Sequence, residues 1–335
     1  FGCLIGDYYF SHTAADIKIL DSMGWIGAWA HTPFLAGASP MVVQLESWQE
    51  LASPRDLSKI FNTPEYTAWR SLRDSEASRY IGLVMPRTLA RLPYGPKNPV
   101  IDFEFEEDVS GDSHRLYTWA NGVYALAINI NRSFKTYGWC SRIRGVESGS
   151  LVTGLPVHSF PTDDGGIATM CPTEFAIFDR REAELAKNGF IPLCHFRNTD
   201  YAAFVSVQSL WNPRTFDDVR ATEDSQLAAR LPYLFAACRF AHYLKCIARD
   251  RIGGFREAGD VERWLQSWIM SYVNGDVENS SEEMKSQKPL ADAHVHVKAV
   301  DEGKTGHYVA EFFVRPRYQL EGLAASLRFV VHLRH

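Results

Sequence analysis

The residues best placed for chemistry lie near the C-terminus. His294 and His296 alternate with Val295 and Val297. On a strand both imidazoles would leave from one face, a spacing that can bind a metal ion. A third ligand would have to come from Asp292 or His332. The other concentration of titratable groups is acidic. Asp102, Glu104, Glu106, Glu107, Asp108 and Asp112 crowd together with no basic residue among them. A metal-dependent hydrolase could use this run with the two histidines, whereas a solvated acidic strand face explains it with fewer assumptions. His31 and His242 sit in helical, apolar settings that suit buried, hydrogen-bonded rings.

The motifs of known catalytic types are missing. The chain has no GxxxxGK[ST], no GxSxG, no HExxH and no EF-hand loop. The glycine-rich stretch Gly145 to Gly154 lacks dinucleotide-binding spacing, and Asp163-Asp164-Gly165-Gly166 reads as a turn. No constellation forms a reaction centre, so neither a catalytic residue nor a cofactor is expected, and the chain reads as a non-enzyme.

The elements that would position these groups are legible in the spacing. The core element runs through Leu227, Leu231, Leu234, Cys238, Ala241, Leu244 and Ala248, a stripe at steps of three and four. Thr222 is the expected N-cap, and Arg249, Arg251 and Gly253-Gly254 are the expected stop. Pro232 either kinks this helix or opens a second one in its first turn. Tyr233, Phe235, Phe240 and Tyr243 lie off the stripe, so the helix should be covered on more than one side.

Upstream, residues 1–10 predict a buried strand, and Thr13 caps a helix to about Ala30 with Ile17, Leu20 and Gly24 on one face. Short helices are expected from Ser53-Pro54 and from Thr63-Pro64-Glu65, with Tyr66, Trp69 and Arg73 sharing a face. A strand from Tyr80 to Met85 ends at Pro86, residues 93–113 form a loop or edge ribbon, and Leu116, Ala120, Val123, Ala127, Ile130 and Phe134 predict a long helix. Residues 138–173 are loop-rich. Asp179 caps a short helix with Glu182 at the capping-box position and Gly189 beyond its end. Strands follow at Phe190–His195 and Ala202–Val207. Val261 to Tyr272 predicts an amphipathic helix, Asn274–Gln287 a polar linker, and Val295, Val297 and Ala299 begin a strand-rich tail with a turn at Gly303–Gly306. Three strands at a chain end are marginal alone and need a helix behind them or strands from another chain.

Bulk properties narrow the function class. The chain has 335 residues, 46% apolar and 22% charged, with a net charge of −5. That composition suits a globular protein of more than one core, and its acidity argues against a nucleic-acid partner. No apolar run reaches a membrane span. The six scattered cysteines, with no CxxC, suit reduced, buried thiols in the cytoplasm. The chain opens inside an apolar run at Phe1 with no initiator Met, as expected for part of a longer protein.

An ordered series of segments carries a family likeness. It includes Leu4-Ile-Gly-Asp-Tyr8 with Phe10-Ser-His12, Ala30-His-Thr-Pro-Phe34, Pro54-Arg-Asp-Leu57, Glu65-Tyr66 through Trp69-Arg-Ser-Leu-Arg73, Ser78-Arg-Tyr80 and Pro86-Arg87. It continues through Arg91-Leu-Pro-Tyr-Gly95, Gly138-Trp-Cys140, Arg144-Gly-Val-Glu147, Gly154-Leu-Pro-Val-His158, Arg180-Arg-Glu182, Gly189-Phe190, Arg230-Leu-Pro-Tyr233, Arg239-Phe-Ala-His-Tyr-Leu-Lys245, Pro289-Leu290, Arg315-Pro316 and Gln319-Leu320. In this order the chain resembles the large subunit of the contractile sheath of bacterial type VI secretion systems, the TssC/VipB family. It departs from that pattern at Ser148-Gly149-Ser150 and at Trp25 and Trp29, where small residues are usual.

The resemblance implies an α/β sheath protomer, with a mixed sheet, long packed helices and a C-terminal strand-rich segment completed between protomers. Its regions would be 1–222, mixed α/β, and 223–335, the core helix and terminal strands. It implies a small sheath subunit as partner, further copies in a six-fold helical sheath, an inner tube that contraction expels, a baseplate and a disassembling AAA+ ATPase. Its place would be the bacterial cytoplasm, in a membrane-docked apparatus without membrane insertion. Strands within 293–335 would join an intermolecular sheet through Val295, Val297, Phe312, Arg328, Phe329 and Val331. Glu282, Glu283, Lys285, Lys288 and Asp292 are candidates for tube contact, and Arg180, Arg181 and Glu182 for contact between protomers. A single-subunit sheath of a phage-like injection particle is the structural alternative, and the metal-dependent hydrolase the enzymatic one.

Overall fold

The computed structural model describes all residues except 1, 54–55, 110–112, 147–149, 162–164, 197–198, 252–257, 276–279, 300–307, 317–326 and 334–335. The expected turn at Gly303–Gly306, the Gly253-Gly254 stop, Asp112, Asp163-Asp164, Ser148-Gly149 and Gln319-Leu320 therefore lie outside the described residues.

The chain begins with β1 (Cys3–Phe10), α1 (Ala14–Ala30) and β2 (Phe34–Ala38). Thr13 caps α1 as its spacing predicts, its side chain accepting from the Asp16 amide. Next come α2 (Leu57–Phe61), α3 (Thr67–Asp74), β3 (Ile81–Met85) and the short β4 (Thr88–Leu89). The cap of α2 is Asp56, and Thr63 forms no side-chain cap. Beyond α4 (Ser113–Leu116) and β5 (Trp119–Ala120) lies α5 (Val123–Tyr137). The long helix expected from Leu116 thus starts seven residues later. Leu116 and Phe134 face solvent, and the buried face carries Val123, Leu126, Asn129 and Ser133. Two buried polar residues broke the apolar periodicity. Asn129 donates to the Ser150 carbonyl at 2.6 Å and Ser133 to that of Trp139 at 2.8 Å, fastening the following loop to the helix.

The loop-rich stretch holds β6 (Leu151–Val152), β7 (Ser159–Pro161) and β8 (Ile167–Thr169), and α6 (Asp179–Lys187), β9 (Phe190–His195) and β10 (Ala202–Phe204) follow. Strands β1, β2, β3 and β9 are parallel neighbours, and β10 and β6 continue the sheet antiparallel, making six strands in the order β1-β2-β3-β9-β10-β6. Strand β1 is an edge and largely exposed, correcting the expectation of a buried strand. The central β3 is buried throughout. Its side chains alternate between two cores, Leu83 and Met85 joining Trp48, Tyr66, Trp69 and Phe190, and Val84 joining Val123, Leu126, Phe204 and Leu234. Both faces are covered, as a parallel sheet requires. Helix α1 packs tightly enough that a Cβ at Gly24 would lie 2.7 Å from the Ala77 carbonyl oxygen.

The predicted core helix is two helices, α7 (Val219–Ala228) and α8 (Leu231–Arg251), with Pro232 in the first turn of the second. The α7 cap is Asp218, accepting from the Arg220 amide at 3.0 Å. Thr222 lies inside α7, where its hydroxyl holds Phe216. Helix α8 is covered on several sides: Leu231, Leu234 and Cys238 enter the sheet core, Phe240 and Leu244 a third core, and Tyr233 packs with Leu227. The third core also takes Val261, Leu265 and Ile269 of α9 (Ala258–Met270) and the inner face of a C-terminal sheet. Within the expected linker sits α10 (Glu282–Gln287), capped by Ser281. The sheet is β11 (Leu290–Ala299), β12 (Tyr308–Pro316) and β13 (Leu327–Leu333), three antiparallel strands backed by α8 and α9.

Candidate protein interface

The C-terminal sheet has two margins of different character. On the β11 side, α9 reaches around the strand. Gln266 accepts from the Val295 amide at 2.8 Å and donates to the Ala293 carbonyl at 2.9 Å, and Glu262 accepts from the Val297 amide at 2.8 Å. These backbone groups would otherwise be open for strand addition. On the other side, no further strand pairs with β13 among the described residues. The side chains of Val295, Val297 and Phe312 are buried in the chain's own core, correcting the expectation that they present an interface. They alternate with outward residues and the packing of α9 chose the face. Arg328, Phe329 and Val331 lie on β13, and their side chains lie outside the description.

The outward face carries the histidines. His294 stands 3.4 Å from Asp292, and His296 3.2 Å from Glu262. Among the described residues no three His, Cys, Asp or Glu side chains come together as metal ligands. Among the described residues the histidines and the acidic run share no such cluster. In that ribbon Glu107 has a basic partner. Arg91 grips both its oxygens at 2.7 Å and the Tyr94 amide donates to it at 2.9 Å. The Arg91 hydrogen bonds come first in holding its carboxyl down at about 2. The charge comes from before the acidic run, which is why composition within the run hid it.

Two apolar surfaces were not legible as such. Ile101, Phe103 and Phe105 are 98%, 61% and 47% exposed, alternating in sequence with Asp102, Glu104 and Glu106 in an irregular segment. Beside it, Tyr94, Lys97, Glu106, Tyr117, His158 and Phe160 line an open cleft of about 960 Å³. On α1, Ile19, Trp25, Ile26 and Trp29 face outward. Patches of this kind mark contact surfaces. The tryptophans that depart from the family pattern are the signal that could have found the second.

The charged candidates divide. Arg180 is exposed on α6. Arg181 pairs with Glu184 at 2.6 Å and donates to the Leu51 and Ser53 carbonyls. Glu182 is buried rather than at a capping box, because Phe178, not Asp179, is the N-cap residue. Burial raises its carboxyl above the ordinary range despite hydrogen bonds from Ser206. Arg181 and Glu182 therefore both have partners within the chain. Glu283 is exposed on α10, Lys285 and Lys288 are half-buried, and Asp292 accepts from the Ala293 amide at 2.8 Å. The Glu282 side chain lies outside the description. No helix among the described residues is long and apolar enough to cross a membrane.

Comparison with known proteins gives the surfaces a context. The VipB family description, EvpB/VC_A0108 tail sheath N-terminal domain, matches residues 1–211. The description EvpB/VC_A0108 tail sheath gpW/gp25-like domain matches residues 220–333. The type VI secretion system sheath protein TssC1 of Pseudomonas aeruginosa is 62% identical over 334 residues, 99% of this chain and 67% of that protein. Two solved structures are remote in sequence. The anti-feeding prophage baseplate is 11% identical with a TM-score of 0.45, over 93% of this chain and 64% of the other. A sheath tail protein from Desulfitobacterium hafniense is 10% identical with a TM-score of 0.45, over 98% and 57%. The chain spans less than two thirds of both structural neighbours and about two thirds of its curated relative. With both halves matched by tail-sheath families and most residues shared with a sheath protein, the chain belongs to the VipB family and is a structural component of a type VI contractile sheath.

Proposed function

We propose that this chain is the large sheath subunit, that it pairs with a smaller one, and that the pairs stack as a six-fold helical sheath around an inner tube. Contraction of that sheath would expel the tube. The observation that carries this reading is the 62% identity to a sheath protein over nearly the whole chain. The work is mechanical and needs no substrate, cofactor or nucleic acid. Rigid cores hold through contraction while contacts at their margins rearrange. The two working regions are 1–222 and 223–335, joined within α7. Their setting is the bacterial cytoplasm, with a baseplate docked at the membrane and an AAA+ ATPase that takes the contracted sheath apart.

The margin that suits a neighbour's strand is β13, because α9 side chains already occupy the β11 edge. Arg180 is the exposed candidate of its trio for contact between protomers. The α10 segment, with Glu282, Glu283, Lys285, Lys288 and Asp292, is the candidate for a polar, releasable tube contact. Negative-stain imaging after co-expression with the adjacent reading frame tests the reading. Striated tubules that need both products support it. Tubules from this product alone point to a single-subunit injection particle, and no tubules under either condition count against a sheath role. Reversing charge at Lys285 and Lys288 should leave sheaths that form but hold no tube; normal tube retention removes α10 from that role.

A further inference from the structure

The open cleft beside the acidic segment is assembled from separate parts of the chain. One wall is the loop from Leu92 to Lys97, a second is residues 106–109, and a third is Val157 to Phe160, which enters β7; Tyr117 completes the lining. Hydrogen bonds hold these walls in place. Arg91 grips Glu107, the Tyr94 amide donates to the Glu107 carboxylate at 2.9 Å, and the Glu107 amide donates to the Tyr94 carbonyl at 2.9 Å. Lys97 ties the first wall to the third, donating to the Ser159 carbonyl at 3.2 Å and to its hydroxyl at 3.4 Å. The Tyr117 hydroxyl meets His158 Nδ1 at 2.5 Å. A cleft fixed in this way has little ordering left to pay for when something binds in it.

Rings and charge together say what would fill it. The Phe103 ring stands 5.8 Å from Phe105, and Phe105 6.2 Å from Tyr94, so the exposed apolar patch runs into the cleft without a break. Trp119, Tyr117, His158 and Phe160 make a second run, at successive spacings of 6.1, 5.6 and 5.9 Å. Among the described residues the lining holds the carboxylates of Glu106, Glu107 and Asp108 against the single ammonium of Lys97. Asp102 and Glu104, both exposed, add to the acid on the adjoining segment. Burial, and then the Lys97 charge, hold the His158 ring below its ordinary value, so it brings no cation at neutral pH. The chain itself shows a cation resting on one of these rings: the Arg91 guanidinium lies 3.9 Å over Tyr94.

We propose that this cleft and its rim are the docking site for an extended, basic segment of another protein, one in which Lys or Arg is interspersed with apolar side chains. The apolar side chains cover Phe103, Phe105 and Phe160, and the cations lie between the rings and the carboxylates of Glu106 and Asp108. Charge complementarity selects this occupant. An acidic or purely apolar segment would strip water from the carboxylates and return no counter-charge. A second copy of this chain, with the same acidic face and a net charge of −5, would set like charges against each other.

Fluorescence anisotropy of a labelled short peptide of Arg, Leu and Pro, titrated with the full chain, tests this. The peptide should bind, and its counterpart with Glu in place of Arg should not. Phe105→Ser on the rim and Phe160→Ser in the lining leave the net charge unchanged, and each should weaken binding about tenfold. Glu106→Lys should weaken it at least as much, whereas Asp217→Lys, at an exposed position outside the lining, should change it by less than about twofold. Spermine, which carries the charge without the apolar side chains, should compete only weakly. Absence of binding, equal binding of the acidic peptide, or affinity indifferent to both phenylalanine substitutions overturns the proposal. So does an Asp217→Lys effect equal to that of Glu106→Lys, which would assign the attraction to overall charge, or spermine competing as well as unlabelled peptide, which would assign the cleft to a polyamine.

Discussion

At the scale of the residue, the telling groups are polar ones that the fold turned inward. Glu182 looks like a capping residue or an interface charge in the sequence, yet the structure buries it beneath α6 with its carboxyl raised. The sign of that shift has a consequence. A carboxyl that holds its proton more tightly when folded costs stability once pH rises above its unfolded value, and costs nothing well below it. Glu182→Gln should therefore raise the melting temperature at pH 8 and change it less at pH 4, as thermal unfolding at the two pH values would reveal. An equal or larger gain at pH 4 would contradict the buried, proton-holding carboxyl. Arg73 shows the opposite resolution. Burial pulls its guanidinium down to about 10, and it remains satisfied by the Leu210 and Lys187 carbonyls, each at 3.0 Å. Those bonds tie α3 to the chain on both sides of β9. Gly189, at φ +86°, makes the turn between α6 and β9, and a Cβ there would meet the Leu210 carbonyl oxygen at 2.9 Å.

At the scale of the element, α1 and α9 each depend on a close fit that substitution can break. Gly24→Ala would drive a methyl into the Ala77 backbone, so we expect a loss of about 1–3 kcal/mol by chemical denaturation. A neutral result would show that α1 can lift without penalty. For α9, Glu262→Ala with Gln266→Ala should uncover the β11 edge while leaving the Val261, Leu265 and Ile269 packing in place. Sedimentation velocity should then show stronger concentration-dependent association than that of the parent chain. Association no stronger than the parent's would mean that the edge is protected in some other way. The same seal backs the three terminal strands with a helix of their own chain. The sequence spacing left open whether a helix or a neighbour completes them, and α9 supplies the helix on the β11 side.

At the scale of the whole molecule, α8 joins cores that would otherwise be separate. Its first half packs on the six-stranded sheet and its second half on the C-terminal sheet. One continuous helix therefore contributes to both cores. Strand β13 pairs only with β12 among the described residues, whereas β3 and β9 lie in the upstream cores, so assembly at β13 should be separable from folding of those cores. Deleting 324–335, which removes β13, should abolish sheath formation on co-expression, while the upstream β3 and β9 core keeps its hydrogen-exchange protection. Normal sheaths from the truncated chain would remove β13 from assembly, and loss of protection in β3 would show that the cores do not fold independently of the margin.

The sequence by itself determined what local spacing encodes: α1 and its Thr13 cap, the β3 and β9 strands, the α9 stripe, the alternating tail and the ordered segments of the VipB family. These depend on neighbours three or four residues apart in a helix, or two apart in a strand, and so are written locally. Tertiary structure decided what requires residues far apart in the chain. Arg91 neutralises Glu107, Asn129 turns inward on α5 to reach the Ser150 carbonyl, and β1 lies at an exposed edge. Glu262 and Gln266 close one margin of the terminal sheet, and among the described residues no further strand pairs with β13 on the other. Burial and hydrogen-bond partners across such distances depend on which surfaces pack, and local spacing carries no record of that.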